Sequence, residues 1–215
     1  MKKIFSVVLV LISLCFFAQQ KPAYWDDIQH FKQLDQDNPP PQNAILFLGS
    51  SSFTKWTDVA DYFPDKTIIN RGFGGSTLFD LNVYSDDLLK PYHPKQIVIY
   101  CGENDIADNA KPKVVLKRFK EFYKKLRQYY PNIPVDYVSA KYSPSREQYW
   151  DEITEVNTLI KNYISKQKNT EYIDITKVME GNDGKVRSDI FLEDHLHMKP
   201  EGYELWTKVM KPYLK

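Results

Sequence analysis

Along this chain, short and nearly continuous apolar runs alternate with longer stretches where apolar residues recur every three or four positions. The short runs occupy residues 44–48, 67–69, 96–100, 135–138 and 172–175. Their length and β-branched, aromatic content predict five strands. The first and third are apolar almost throughout, as expected of central strands covered on both faces. Between them Val115, Phe119, Phe122, Leu126 and Tyr129 form the stripe of an amphipathic helix. Trp150, Ile153, Asn157, Ile160 and Ile164 repeat the pattern after a turn at Ser143, Pro144 and Ser145. Trp206, Val209, Met210 and Tyr213 form a third stripe, opened by Pro200 in the first helical turn. Weaker helical signals cover 24–34 and 76–89. Alternation of this kind predicts an α/β fold: a mostly parallel five-stranded sheet with helices on both faces, a three-layer sandwich of flavodoxin-like type.

The first eighteen residues stand apart. A basic start at Lys2 and Lys3 leads into an apolar run that ends near Ala18, the form of a secretory signal and short for a full membrane span. The expected organisation is therefore a leader at 1–18 and a single domain at 19–215, exported to the periplasm or the exterior. Lipid attachment at Cys15 fits poorly, because Leu14 stands where a small residue is expected. Two of the 29 Lys and Arg lie in this leader, against 28 Asp and Glu overall. The remainder is near neutral, which argues against a nucleic-acid partner. Beyond the leader the only cysteine is Cys101, so no intramolecular disulfide is expected and packing must supply the stability.

In an open α/β sheet, ligands meet the chain beyond the carboxyl ends of the strands. Four polar segments fall there: Gly49-Ser50-Ser51-Ser52 after the first strand, residues 70–76 after the second, Gly102-Glu103-Asn104-Asp105 after the third, and Asp194 to His197 after the fifth. Each alone has a plain structural reading. Serines cap helices, glycines serve turns, and Asn and Asp favour capped loops. Their occurrence in order, at matching strand ends, is what asks for chemistry. Asp194 precedes His197 by three residues on one turn. A carboxylate so placed can hold an imidazole's Nδ1–H and leave Nε2 free to take a proton from a hydroxyl. His195 is adjacent to Asp194, and adjacent side chains diverge. His30 and His93 read as structural or exposed.

With these four segments the chain resembles the SGNH hydrolases, the GDSL-type esterases and lipases, over essentially the whole domain. The resemblance implies Ser51 as nucleophile, His197 as base and Asp194 as its orienting acid. It implies an oxyanion hole formed by the Ser51 N–H, the Gly75 N–H and the Asn104 amide. Ser50 stands where the family often has Asp, which leaves Ser50 and Ser52 as competing neighbours of Ser51. The implied activity is ester hydrolysis through an acyl-enzyme, without metal or cofactor. No HExxH motif or Cys/His cluster points to a metal. The expected substrates are small-molecule or polysaccharide esters with short acyl groups, such as acetylated carbohydrates; lipid esters are the alternative. The aromatics Phe53, Trp56, Phe73, Phe79 and Tyr142 either line that site or belong to the core. A rival of another class, a flavodoxin-like protein binding phosphate or FMN on the serine loop, leaves Asn104 and the Asp194/His197 pair unexplained.

Overall fold

The computed structural model describes residues 21–215, so the leader at 1–18 and Cys15 lie outside the described residues. Five strands form one parallel sheet: β1 (Ile45–Gly49), β2 (Ile68–Gly72), β3 (Gln96–Tyr100), β4 (Val135–Val138) and β5 (Thr170–Ile173), in the order β2-β1-β3-β4-β5. All residues of β1 and β3 are buried, which accounts for their nearly unbroken apolar sequence. The chain leaves β1 toward β2 on one side and returns to β3 on the other. The crevice between β1 and β3 is thus the point where strand order reverses and where such sheets bind ligands.

Nine α-helices are found among the described residues: α1 (Trp25–Asp37), α2 (Ser51–Thr54), α3 (Val59–Tyr62), α4 (Leu78–Val83), α5 (Ser85–Leu89), α6 (Glu103–Ala107), α7 (Pro112–Tyr129), α8 (Trp150–Ile164) and α9 (Pro200–Met210). Strand alternation sorts the core into two layers. Leu46, Leu48, Ile97, Ile99 and Tyr137 meet Ile28 of α1, Leu78 and Leu81 of α4, Phe119 and Phe122 of α7, and Ile153 and Ile160 of α8. Ile45, Phe47, Val98 and Tyr100 face Phe53 of α2, Trp56, Val59 of α3, and Trp206 and Met210 of α9. This is the three-layer sandwich that the alternation of runs predicted. No helix among the described residues is long and apolar enough to cross a membrane.

Three boundaries differ from the sequence reading. β2 continues to Gly72, with Asn70 beside Phe47 and Gly72 beside Gly49. Polar residues survive there because their side chains are satisfied: Asn70 Nδ2 donates to the Phe53 carbonyl at 2.7 Å, and Arg71 donates to Tyr92 Oη at 2.7 Å and pairs with Asp35. β5 lies two residues earlier than expected, because Ile175 leaves the ladder and donates its N–H to Ser139 Oγ at 3.1 Å. The single helix expected over 76–89 is two, broken at Tyr84. Lys125 of α7 donates to the Asn82 carbonyl at 2.7 Å beside this break.

Candidate active site

The turn that follows β1 is held from four directions. Gly49 has a φ of 150°, and a Cβ there would lie 1.9 Å from the Tyr100 carbonyl oxygen, so only glycine lets β1 and β3 approach. The Ser50 N–H then donates to Tyr100 O at 3.0 Å, and α2 begins at Ser51. Asn70 holds the Phe53 carbonyl, and Tyr203 of α9 donates its hydroxyl to Ser52 O at 2.9 Å. The three serines diverge on this rigid turn. Ser50 and Ser52 are buried, and Ser52 Oγ accepts from Lys141 Nζ at 3.3 Å. Ser51 is half-buried, and its Oγ lies 2.9 Å from His197 Nε2.

His197 belongs to a turn between Phe191 and Met198, which pair as an antiparallel bridge. The turn is an Asp-capped loop rather than a piece of helix. Asp194 Oδ1 accepts the N–H groups of Leu196 at 3.0 Å and His197 at 2.9 Å, while His195 takes a left-handed φ of 52°. That kink sends the His195 side chain to solvent and returns His197 toward its own Asp. His197 Nδ1 and Asp194 Oδ2 are 2.6 Å apart. With the proton assigned to Nδ1, Nε2 is the acceptor for the Ser51 hydroxyl. Burial pushes the Asp194 carboxyl up, but hydrogen bonds from the His197 N–H, the imidazole and the Leu196 N–H outweigh it. The carboxyl is held well below the usual range. His30 and His93 are exposed, and neither is hydrogen-bonded to these groups.

The segment after β2 passes beside Ser51: a Cβ on Gly74 would lie 4.0 Å from that of Ser51. Gly75 has a φ of 84°, in the left-handed region. Among the described residues, neither the Ser51 N–H nor the Gly75 N–H donates to a protein acceptor. Asn104 lies in the first turn of α6 and is buried. Its Nδ2 donates one hydrogen to Ser76 O at 2.9 Å, and its Oδ1 accepts from Arg146 Nη2 at 2.7 Å. The second Nδ2 hydrogen is left for another acceptor. Asp105, next in the chain, turns the other way. It accepts from the Leu78 N–H and pairs with Arg118, both at 2.8 Å, joining α4 to α7. The segments after β1, β2 and β3 and the Asp194–His197 turn therefore gather at one sheet edge. Their arrangement offers a base-activated hydroxyl next to N–H donors, the equipment for attack on a carbonyl and stabilisation of the resulting oxyanion.

Beneath Ser51 lies a buried charged network that the sequence reading did not contain. Glu103 Oε2 is 2.8 Å from Lys141 Nζ, Glu103 Oε1 is 3.3 Å from Arg146 Nη1, and the Tyr100 and Ser143 hydroxyls donate to the same carboxylate. Burial pushes the Glu103 carboxyl up, yet Lys141 and Arg146 together hold it below its ordinary value. Burial pushes the Lys141 ammonium down. The one sequence signal was position, since Lys141 follows β4 at the same carboxyl edge. Arg146, in a 3₁₀ turn at Pro144–Tyr149, gave none. Of the aromatics weighed for the site, Phe53, Trp56 and Phe73 are core residues. Phe79 is exposed beneath the Arg118 guanidinium, and Tyr142 is half-buried against Trp150.

Residues 42–205 match the family described as GDSL-like lipase/acylhydrolase. No curated protein sequence matches the chain. Several solved structures share the fold. A Streptococcus pneumonia protein named for platelet activating factor is 22% identical, with a TM-score of 0.78 over 88% of this chain and 92% of its own. A GDSL-like lipase of Bacteroides thetaiotaomicron is 18% identical, with a TM-score of 0.72 over 86% of this chain and 96% of its own. A family 3 carbohydrate esterase of Clostridium thermocellum is 12% identical, with a TM-score of 0.61 over 80% of this chain and 97% of its own.

Proposed function

The chain belongs to the GDSL-like lipase/acylhydrolase family, and from that premise we propose that it is a serine esterase acting through Ser51, His197 and Asp194. The observation that carries this reading is the unbroken hydrogen-bonded series from Asp194 Oδ2 through the imidazole to Ser51 Oγ, at 2.6 and 2.9 Å. Ser51 attacks the ester carbonyl while His197 Nε2 takes its proton, and ionised Asp194 stabilises the imidazolium. Negative charge develops on the carbonyl oxygen and is met by the Ser51 and Gly75 N–H groups and by the unused Asn104 N–H. The imidazolium then protonates the leaving alcohol. Water, deprotonated by His197, releases the acid from the acyl-enzyme and restores the Ser51 hydroxyl.

The substrates proposed are short acyl esters of carbohydrate alcohols. In support, the Pro144–Tyr149 turn that brings Arg146 to Asn104 also contributes Pro144 and Glu147 to a neighbouring cleft of about 600 Å³. The cleft is lined further by Tyr142, Trp150 and Asp151 but by none of Ser51, Asn104 and His197, so that it would take the alcohol part of a substrate rather than the reacting ester. Aromatic faces beside carboxylates suit stacking and hydrogen bonding to a sugar better than they suit an acyl chain. One solved relative of the fold is named a carbohydrate esterase. Export by the leader at 1–18 would place the enzyme among such polymers.

Three experiments test the reading. Ser51→Ala should abolish hydrolysis of a chromogenic acetyl ester with the fold intact, and an organophosphate should label the Ser51 peptide; wild-type turnover in the variant would sink the assignment. Turnover across acyl esters from acetyl to palmitoyl should fall steeply with chain length, whereas a maximum at long chains would favour lipid substrates.

A further inference from the structure

We propose that Arg146 is a positioning residue for the oxyanion donor Asn104, fixing the direction of its amide and strengthening its N–H. This inference rests on the esterase reading above. An Asn side chain is nearly symmetric in shape, so its direction must come from its partners. Here both ends are specified: Oδ1 faces the Arg146 Nη2 donor at 2.7 Å and Nδ2 faces the Ser76 carbonyl at 2.9 Å. A flipped amide would set two donors together at one end and two acceptors at the other. Only one Nδ2 hydrogen is consumed, and the other is left for the oxyanion that the proposed mechanism gives it.

The guanidinium also acts electronically. A cation hydrogen-bonded to an amide oxygen polarises the amide, and its N–H becomes a better donor. Arg146 is 14% exposed, so water weakens this effect little. It is itself held in place. Its N–H donates to Ser143 O at 3.0 Å, and its Nη1 is an ion-pair partner of Glu103, the residue just before Asn104. Glu103 in turn is fixed by Lys141 at 2.8 Å. A planar fork can face Glu103 with one nitrogen and Asn104 with the other, which a lysine ammonium cannot do from one position. The neighbouring Ser145 N–H donates to His195 O at 3.1 Å. One short turn therefore touches both the oxyanion side and the histidine side of Ser51.

The test is steady-state hydrolysis of a chromogenic acetyl ester by the full chain carrying Asn104→Ala, Arg146→Ala, Arg146→Lys, or Asn104→Ala with Arg146→Ala. The expected result is a loss of kcat of roughly tenfold in Arg146→Ala with KM changed less than about twofold, and partial recovery in Arg146→Lys. The double variant should be no slower than Asn104→Ala alone, because Arg146 has nothing left to act through. Losses that multiply in the double variant would overturn the inference. So would wild-type kcat in Arg146→Ala, or a change confined to KM, the mark of a substrate contact. If Arg146→Ala does not fold, Arg146→Gln, which keeps a donor without the charge, takes its place under the same criteria. Wild-type kcat in Asn104→Ala would remove the oxyanion assignment and this inference together. A loss in Asn104→Ala with none in the Arg146 variants would remove this inference alone.

Discussion

On one side of Ser51 stands His197 with a carboxylate half open to water; on the other stands Asn104, the proposed oxyanion donor, backed by buried charge. Asp194 is 47% exposed and is held by the backbone of its own turn. Glu103 and Lys141 are 4% and 1% exposed, and their partners come from the segments after β1, β3 and β4. Under the proposed mechanism the difference follows from what each side does during turnover. The imidazole gains and loses a proton, so its carboxylate benefits from local N–H groups and from solvent that can respond. The oxyanion donors must meet new charge without rearranging, and fixed dipoles and charges in a dry interior do this best. Burial makes the second arm effective and also makes it costly to disturb.

Altering the exposed arm should give the largest effect on activity and a small one on stability. Asp194→Asn keeps an oxygen for the Leu196 and His197 N–H groups but turns an amide N–H toward His197 Nδ1. The ring is then driven to the tautomer with Nε2 protonated, which cannot accept from Ser51. We expect kcat to fall on the order of 10²–10⁴-fold with Tm within about 2 °C of the wild type. Activity within threefold of wild type, measured on an acetyl ester, would contradict the role given to Asp194.

The two arms also differ in how far the sequence revealed them. The Asp194–His197 turn was legible because its parts are three residues apart and the chemistry of one dictates the other. Ser51, Gly75 and Asn104 were legible as punctuation, polar and glycine residues breaking apolar runs at strand ends. The helices on the sheet's faces were legible from their stripes, although the break at Tyr84 was not, since apolar spacing continues across it. Asn70 and Arg71 read as loop from their polarity alone and lie in β2 instead, because their partners on α2 and α1 are remote in the chain. Arg146 carries no signal for the same reason, and Lys141 only its place after β4. A buried ion pair between positions 103 and 141 has no periodicity, and only the closing of the sheet brings those positions together.

Breaking the buried arm should move stability most. Lys141→Met removes the nearer cation from Glu103 and leaves a buried carboxylate with Arg146 as its remaining charge partner. A loss of about 3–5 kcal/mol in urea unfolding at neutral pH is expected. Adding Glu103→Leu to that variant should recover part of the loss, since a buried ion pair replaced by apolar side chains is often neutral. Activity should not return with it, because Arg146 loses its anchor. Unchanged stability in Lys141→Met would mean that the network contributes little to the fold.

Whether pairing, rather than burial, keeps Glu103 ionised can be read from a second buried carboxylate. Asp136 sits on the same sheet at the start of β4, the end of the strand away from the site. It is as buried as Glu103, but among the described residues it has no salt-bridge partner and accepts a hydrogen bond from Gln96. Burial raises its carboxyl to about 7, with Glu171 adding to the rise and the Gln96 hydrogen bond opposing it. A carboxyl raised in the folded state binds its proton more tightly there than in the unfolded chain. Its contribution to stability is therefore present below about pH 4 and is lost as pH rises toward 7. Asp136→Asn cannot ionise and still offers Gln96 an oxygen. The variant should gain on the wild type by roughly 2–4 kcal/mol between pH 4 and 8, read as a widening difference in urea midpoints at a series of pH values. A difference that stays flat across this range would show that Asp136 ionises without cost where it lies. The contrast with Glu103 would then owe nothing to Lys141 and Arg146.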